Sequence, residues 1–349
     1  MAGTGMKGSV VAIGEFQGRG VAARFIDGRL DDLLVDGDDL SPGAVLRGRV
    51  GRPVKGLGGA FVDLPQGARG FLRQTSGLTP GQPILVQVSG VAEPGKAIPL
   101  TLRLVFKGRF AIVTPRAPGL NISRALQDPD LRAELDALAA AGMAGAAEDF
   151  GLILRSACAE AEPAAIAEEL SALRHLAEAV MADQTGTPEL LVAAPDAREA
   201  AWRDWDDPDV FDDSPDALDN HALPEAIEAL LDPRVALPGG GHMMIEPTRA
   251  LIAVDVNTGP DTSPAAGFKA CIEAARALPR ELRLRGFGGQ VVIDFAPCPR
   301  KDRAVVEQTL RKVFKGEAAE TTLAGWTPLG NFELQRKRDR APLASWVRT

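Results

Sequence analysis

Leu251-Ile-Ala-Val-Asp255-Val-Asn257-Thr-Gly259 and Gln290-Val-Val-Ile-Asp294-Phe295 are apolar runs that each close on an acid. Between them lies Phe268 to Arg285, FKACIEAARALPRELRLR. Three or four apolar residues in a row predict strands buried on both faces, where a bare carboxylate needs a partner. The stretch between them has apolar residues at helical spacing and a basic last turn, which suits the negative end of a helix dipole. A strand–helix–strand unit of this length brings Asp255 and Asp294 to neighbouring strand ends. Asp255 and Asn257 are two apart, so on an extended chain they leave the same face. Two carboxylates and an amide oxygen converging there form a hard, oxygen-rich site suited to magnesium. Taken alone, the same acids could instead cap helices or pair with arginine.

The surrounding residues extend the pattern. VDVNTG followed by EAARALPRELRLRGFGGQVVIDF resembles the catalytic segment of the ribonuclease E/G family, which runs close to IDINS, a helix ending RQLRLRDLGG, and IVIDF. The order is preserved and the match includes the residues that bear the chemistry. Upstream, RVALPGGGHMMIEPT from Arg234 is similar to the family's RVRLPSGGSIVID hairpin, and downstream LGNFELQRKR from Leu329 is similar to its FGLLEMTRKR. Lys7 to Asp36 has the character of the family's opening strands, and Gly48 to Leu72 that of its S1-type insert. The resemblance thus runs from about Lys7 to about Leu343.

It implies a mixed α+β fold: an RNase H-like subdomain interrupted by an S1-type (OB-fold) β-barrel, a 5′-sensor-like subdomain and a magnesium-binding catalytic unit. The corresponding boundaries are 1–40 for the first RNase H-like strands, 41–105 for the barrel and 106–185 for the sensor. Residues 186–233 would be the remainder of the RNase H-like part with an acidic connector, and 234–349 the catalytic unit.

Residue types and charge agree with two or three compact units in 349 residues. No window approaches 18 apolar residues, and the start lacks a charged segment leading into an apolar one, so a soluble, cytoplasmic protein without a membrane segment is expected. A net charge of −8 argues against indiscriminate nucleic-acid binding. The charges are segregated, however. Acids crowd WRDWDDPDVFDDSPDALD from Trp202, whereas Arg300, Lys301, Arg303, Arg311, Lys312, Arg336, Lys337, Arg338 and Arg340 gather near the end, as in a protein with one RNA-facing side. Cys158, Cys271 and Cys298 form no C-x-x-C pair.

From Ala44 to about Leu104 short strands punctuated by Gly and Pro predict a small barrel. Phe61 and Phe71 map by resemblance onto aromatics that stack on unpaired bases, though both could simply fill the barrel core. Lys55, Arg69 and Lys96 lie in the surrounding loops, within reach of phosphates. Amphipathic helices are expected over PDLRAELDALAAAG and PAAIAEELSALRHLAEAVMAD. Gly151-Leu-Ile-Leu-Arg155-Ser156 resembles the family's GLIVRT, whose Arg and hydroxyl residue cradle a 5′-monophosphate, chemistry that fits a guanidinium beside a hydroxyl. Arg336, Lys337 and Arg338 are further candidate RNA contacts.

By resemblance, Asp255 and Asp294 hold Mg2+, and Asn257 holds Asp294 or the scissile phosphate. The expected reaction is cleavage of single-stranded RNA to 3′-hydroxyl and 5′-phosphate ends. The chain departs from the family in several places. Ala296-Pro297-Cys298 replaces a carboxylate-bearing stretch, Cys271 occupies a position where the family has Asn, and Glu317 to Glu320 stands where a basic residue supports 5′-end sensing. The Cys-Pro-x-Cys zinc link is also missing before Thr349, so no zinc-linked dimer is expected and the oligomer is left open. Two other readings compete: an RNA-binding or regulatory relative with lost or weak catalysis, and a magnesium phosphatase with Asp255 as nucleophile. The second acid such a phosphatase needs two residues on is replaced by Asn257.

Overall fold

The structure is a computed structural model that describes residues 7–261 and 263–347, the side chains of Lys55 and Pro264 apart. The chain forms two compact units, one of Asp36–Asp207 and the other of the residues up to Val35 joined by those from Pro208 onward. No helix among the described residues is long and apolar enough to cross a membrane.

β1 (Ser9–Phe16), β2 (Arg19–Ile26) and β3 (Arg29–Val35) form an antiparallel meander. Its turns, Gln17-Gly18 and Asp27-Gly28, have positive φ at both residues, the backbone twist that two-residue hairpins demand.

In the other unit, β4 (Val45–Val54), β5 (Gly59–Asp63), β6 (Arg69–Leu72), β7 (Pro83–Val88) and β8 (Ile98–Thr101) run in the order β4-β5-β6-β8-β7, and β7 pairs back onto β4. This closes a five-stranded barrel of the kind expected for an OB or S1 fold. Leu46, Val50, Ala60, Val62, Leu72, Val86 and Leu100 fill it. β9 (Phe106–Lys107), β10 (Ala111–Thr114), β11 (Gly119–Ile122) and, after α1 (Pro129–Gly142), β12 (Gly151–Leu154) make a second sheet in the order β11-β12-β10-β9. α1 and α2 (Pro163–Ala182) begin where the sequence predicts them. Each has proline in its first turn, where a missing N–H costs nothing, and Asp128 caps α1 by accepting from the Asp130 and Leu131 amides.

β13 (Glu189–Val192) departs from the expected partition, because it pairs with β4 on the barrel rather than belonging with the opening strands. Leu190 packs on the barrel core and Arg47 holds Glu189 and Asp183 by ion pairs, which fixes the strand there. α3 (Ala197–Asp204) follows, started by a reciprocal capping box between Asp196 and Glu199.

The first unit resumes with β14 (Val210–Asp212), parallel to β1, then α4 (Ala217–Asn220) and α5 (Leu223–Leu231). A six-stranded sheet follows. It comprises β15 (Arg234–Ala236), β16 (His242–Pro247), β17 (Ile252–Asn257), β18 (Gly289–Asp294), β19 (Thr321–Trp326) and β20 (Phe332–Arg336) in the order β15-β16-β17-β18-β20-β19. Only β17 and β18 are parallel, joined across α6 (Pro264–Leu284). α7 (Arg303–Phe314) precedes β19.

The sheet is covered on one face, which corrects the expectation of strands buried on both. Ile252, Val254, Val256, Val291, Ile293, Phe332 and Leu334 pack against Ala274, Leu278 and Leu282 of α6 and Val306 and Leu310 of α7. The alternate residues Asp255, Asp294 and Gln335 are exposed. With helices on a single face, only every second residue needs to be apolar.

The basic end of α6 is not a solvated last turn. Arg283 pairs with Glu317 and lies 3.3 Å from Asp31, Arg285 lies 2.5 Å from Glu281, Arg336 is 2.8 Å from Glu317, and Arg340 pairs with Asp32. Burial works to raise the Asp32 pKa. Arg340, with Arg283 and Arg24 behind it, overrides that and brings it down to about 2.

Candidate active site

Asp255 and Asp294 are direct partners in the parallel β17–β18 ladder. Neighbouring strands lie about 4.8 Å apart, and both residues have the parity of the open face, so the two carboxylates stand side by side above the sheet. Asn257, two residues on and on the same face, donates from Nδ2 to Asp255 Oδ2 at 2.8 Å. Its amide partner is thus Asp255 rather than Asp294, the first of the two roles expected of it; the other, a contact to the scissile phosphate, concerns a ligand. Adjacent like charges repel, and no lysine or arginine among the described residues pairs with either acid. The pair could hold a cation. Among the described residues no cluster of three or more His, Cys, Asp or Glu forms a metal cage. Two exposed carboxylates suit magnesium, which keeps much of its water and takes one or two protein carboxylates.

Two further residues border this site that sequence reasoning did not single out. Glu333 is paired with Val292 in the β18–β20 ladder, which puts it on the open face diagonally from Asp294. The alternation in Phe332-Glu333-Leu334 was the available signal. His242 faces Asn257 across β16–β17, and its Nδ1 is buried without a hydrogen-bond partner.

In the barrel unit, Phe61 and Phe71 are direct cross-strand partners with ring centroids 5.5 Å apart, edge to face. Their neighbours Ala60, Val62 and Leu72 point into the core, so neither ring fills the barrel; both lie half-buried on its outer surface. The Arg69 guanidinium sits 4.9 Å above the Phe61 ring. Gly59 leaves room beside Phe71, where a Cβ would come within 2.7 Å of the ring. Lys96 is engaged with Glu93 at 2.8 Å. The Lys55 side chain lies outside the described residues.

Arg155 is held on three sides. It donates to the carbonyl oxygens of Gly108 (2.6 Å) and Arg203 (2.8 Å) and to Asp204 Oδ1 (3.0 Å). Lys107 (2.5 Å) and Arg203 (2.8 Å) reach the same carboxylate, so three cations converge on Asp204. Burial raises the Asp204 pKa, but Arg203 and Lys107 outweigh it and the net direction is down. Ser156 is exposed at the start of a short 3-10 turn.

Arg336 does not serve as an RNA contact. It is 2% exposed and points into the core with Phe332 and Leu334, paired to Glu317. Lys337 is exposed and Arg338 half-buried beyond the end of β20. Glu317 likewise departs from expectation: its carboxylate is neutralised by Arg283 and Arg336 and does not confront a ligand.

The Ribonuclease E/G family model matches residues 105–212 and 207–339, and the chain belongs to that family. It is 31% identical to a "Ribonuclease E" of Nostoc sp. over 379 aligned positions, covering 91% of this chain and 54% of that protein. Against the "Ribonuclease G" of Haemophilus influenzae the identity is 26%, covering 86% of this chain and 73% of the relative. Against the "Ribonuclease E" of Escherichia coli it is 26%, covering 90% and 35%. The chain spans about half the length of the Nostoc and Synechocystis relatives it matches.

Proposed function

We propose that this chain is an endoribonuclease of the ribonuclease E/G type that cleaves single-stranded RNA to 5′-phosphate and 3′-hydroxyl ends in RNA processing or decay. The observation that carries the reading is the unneutralised pair Asp255–Asp294, registered side by side on an open sheet face. In this reading the two carboxylates hold Mg2+, which when bound supplies positive charge to the phosphate and a water of lowered pKa. Asn257 fixes one Asp255 oxygen by its amide and so orients the other. The uncovered face lets a phosphodiester chain lie across the strands, and β18 sets Asp294 through main-chain pairing rather than through a loop. The four-stranded sheet β14-β1-β2-β3 corresponds to the RNase H-like part of this reading, and a cytoplasmic location accompanies it.

The test is incubation of an AU-rich, single-stranded RNA with the full chain and magnesium, followed by end analysis. Cleavage that stops on chelation and leaves 5′-phosphates supports the reading; binding without cleavage would leave the RNA-binding, regulatory reading in its place.

Phe61 and Phe71 supply the base-stacking surface in this reading. Phe61→Ala and Phe71→Ala are each expected to weaken single-strand binding by about 1–3 kcal/mol. Thermal stability should fall by less than the ~3–5 kcal/mol of a core Phe truncation. A collapse of stability with unchanged binding by the folded fraction would argue for a purely structural pair.

At the proposed 5′-phosphate pocket, Asp204 already satisfies Lys107, Arg155 and Arg203. Preference for 5′-phosphorylated over 5′-hydroxyl RNA is therefore expected to stay below about tenfold, or ~1.4 kcal/mol, and to rise in Asp204→Asn. Matched substrates differing only at that end read this out directly. A larger preference in the unaltered chain would show that Asp204 yields to the phosphate.

A further inference from the structure

A guanidinium without a carboxylate stands near the strand end that carries Asp294. The β18–β20 ladder runs up to Ile293 against Phe332, so the turn between β19 and β20 lies beside Asp294. Phe295, the next residue, has its ring 5.6 Å from that of Trp326, which in turn lies 5.3 Å from the ring of Phe332. The Arg303 guanidinium sits 4.6 Å above the Trp326 ring. Gly330 in the turn leaves it room: a Cβ there would come within 3.1 Å of Arg303 Nη2. Arg303 Nε is buried without a hydrogen-bond partner, and so is Trp326 Nε1. Donors desolvated in this way are costly to leave unbonded. Arg283, Arg285 and Arg336 share a buried, unpartnered Nε, but each engages a carboxylate through its terminal nitrogens. Arg303 makes no ion pair or hydrogen bond among the described residues. It is also the first residue of α7, where the helix dipole disfavours a cation.

We propose that Arg303 binds a phosphate of the RNA strand next to the one cleaved at the Asp255–Asp294 pair. The inference rests on the nuclease reading above and adds to it a residue that seats the strand. Arg303 is half-buried with its Nε sealed, so a ligand meets the unbonded terminal nitrogens at its open end. A guanidinium takes a phosphate through two parallel N–H bonds, and the Trp326 ring behind it holds its plane in one orientation. A strand seated on the acids continues past the end of β18, where the guanidinium stands. Two unpaired carboxylates repel a polyanion, and a cation nearby offsets that repulsion without pairing with either of them. The contact is to the backbone, so it positions the strand and reads no base.

The test is modification of the full chain by phenylglyoxal, with a chelator present to prevent cleavage, followed by peptide mapping with and without a single-stranded, AU-rich oligoribonucleotide. Arg303 should be modified in the free chain and protected by the RNA, whereas buried, paired Arg336 should resist in both. Arg303→Gln should weaken binding of the same RNA. It should also make the fall of log affinity with log salt shallower by about 0.7, the share of one phosphate on a single strand. Arg303→Lys should keep the slope. With magnesium, the KM of Arg303→Gln should rise about tenfold while kcat changes less. A purely structural stack on Trp326 would instead lower the melting temperature of both variants and leave the salt slope untouched. That outcome, or modification of Arg303 undiminished by bound RNA, would overturn this contact while the nuclease reading stands. Failure of the unaltered chain to bind the RNA at any salt would overturn both.

Discussion

Asp255→Asn and Asp294→Asn are each expected to lower RNA cleavage at least about a hundredfold while leaving the fold and RNA binding nearly unchanged. Losing one charged ligand from a two-carboxylate magnesium site removes several kcal/mol of transition-state stabilisation, and each ~1.4 kcal/mol is tenfold in rate. The substitution keeps side-chain shape, and both positions face solvent, so no cavity or buried unpaired group is created. Relief of the repulsion between adjacent carboxylates should even raise the melting temperature slightly. Cleavage rates, circular dichroism and filter binding on the same preparations separate these effects. Activity above about a third of wild type in either variant would remove the acid pair from the mechanism.

Glu317→Ala should be among the most destabilising single changes in the chain. The carboxylate holds Arg283 and Arg336, and Arg336 is 2% exposed. Removing one partner of a buried pair strands the other charge and costs about 3–5 kcal/mol, where an exposed pair would cost less than about 1. Denaturant unfolding checks the size, and a loss under about 1 kcal/mol would show that water reaches Arg336. The same network makes the fold acid-sensitive through Asp32. Its folded pKa, about 2, is below the ordinary 3.8, so its contribution is fully present above about pH 4 and is lost as pH falls toward 2. That contribution is about 2 kcal/mol at neutral pH, since a tenfold change in proton affinity corresponds to ~1.36 kcal/mol. Asp32→Asn should flatten the stability profile in this range.

The acid pair was legible because a parallel strand–helix–strand unit leaves little freedom over where its strand ends fall. α1, α2 and the closing barrel were legible for similar local reasons: helical spacing, proline at the first turn, and glycine-punctuated strands. The face that stays open was not, since a run such as Leu251 to Val254 fits both a central two-sided strand and a one-sided strand with a small apolar residue outward. Arg336 was misread because basic residues were grouped by adjacency, although a two-residue period places it with Phe332 and Leu334. Glu317 looked like a repulsive surface acid because its partners, Arg283 and Arg336, come from other elements. Asp204, seen in sequence as one acid among many, owes its three cations to tertiary placement alone.

β14 pairs in parallel with β1, Val10 against Val210. Asp36–Asp207, which forms its own compact unit, is threaded between these partners. On a ribosome the β1–β3 meander therefore emerges with one edge unclaimed and waits while that entire unit is synthesised, on the order of ten to thirty seconds at ordinary elongation rates. During that interval β1 exposes a strand edge of the kind that recruits foreign strands. Newly made chains should depend on holding factors most heavily at this length, and ribosomes stalled with Asp207 emerged and β14 still enclosed should display the meander as an unfinished, protease-sensitive segment while the second unit is already protected.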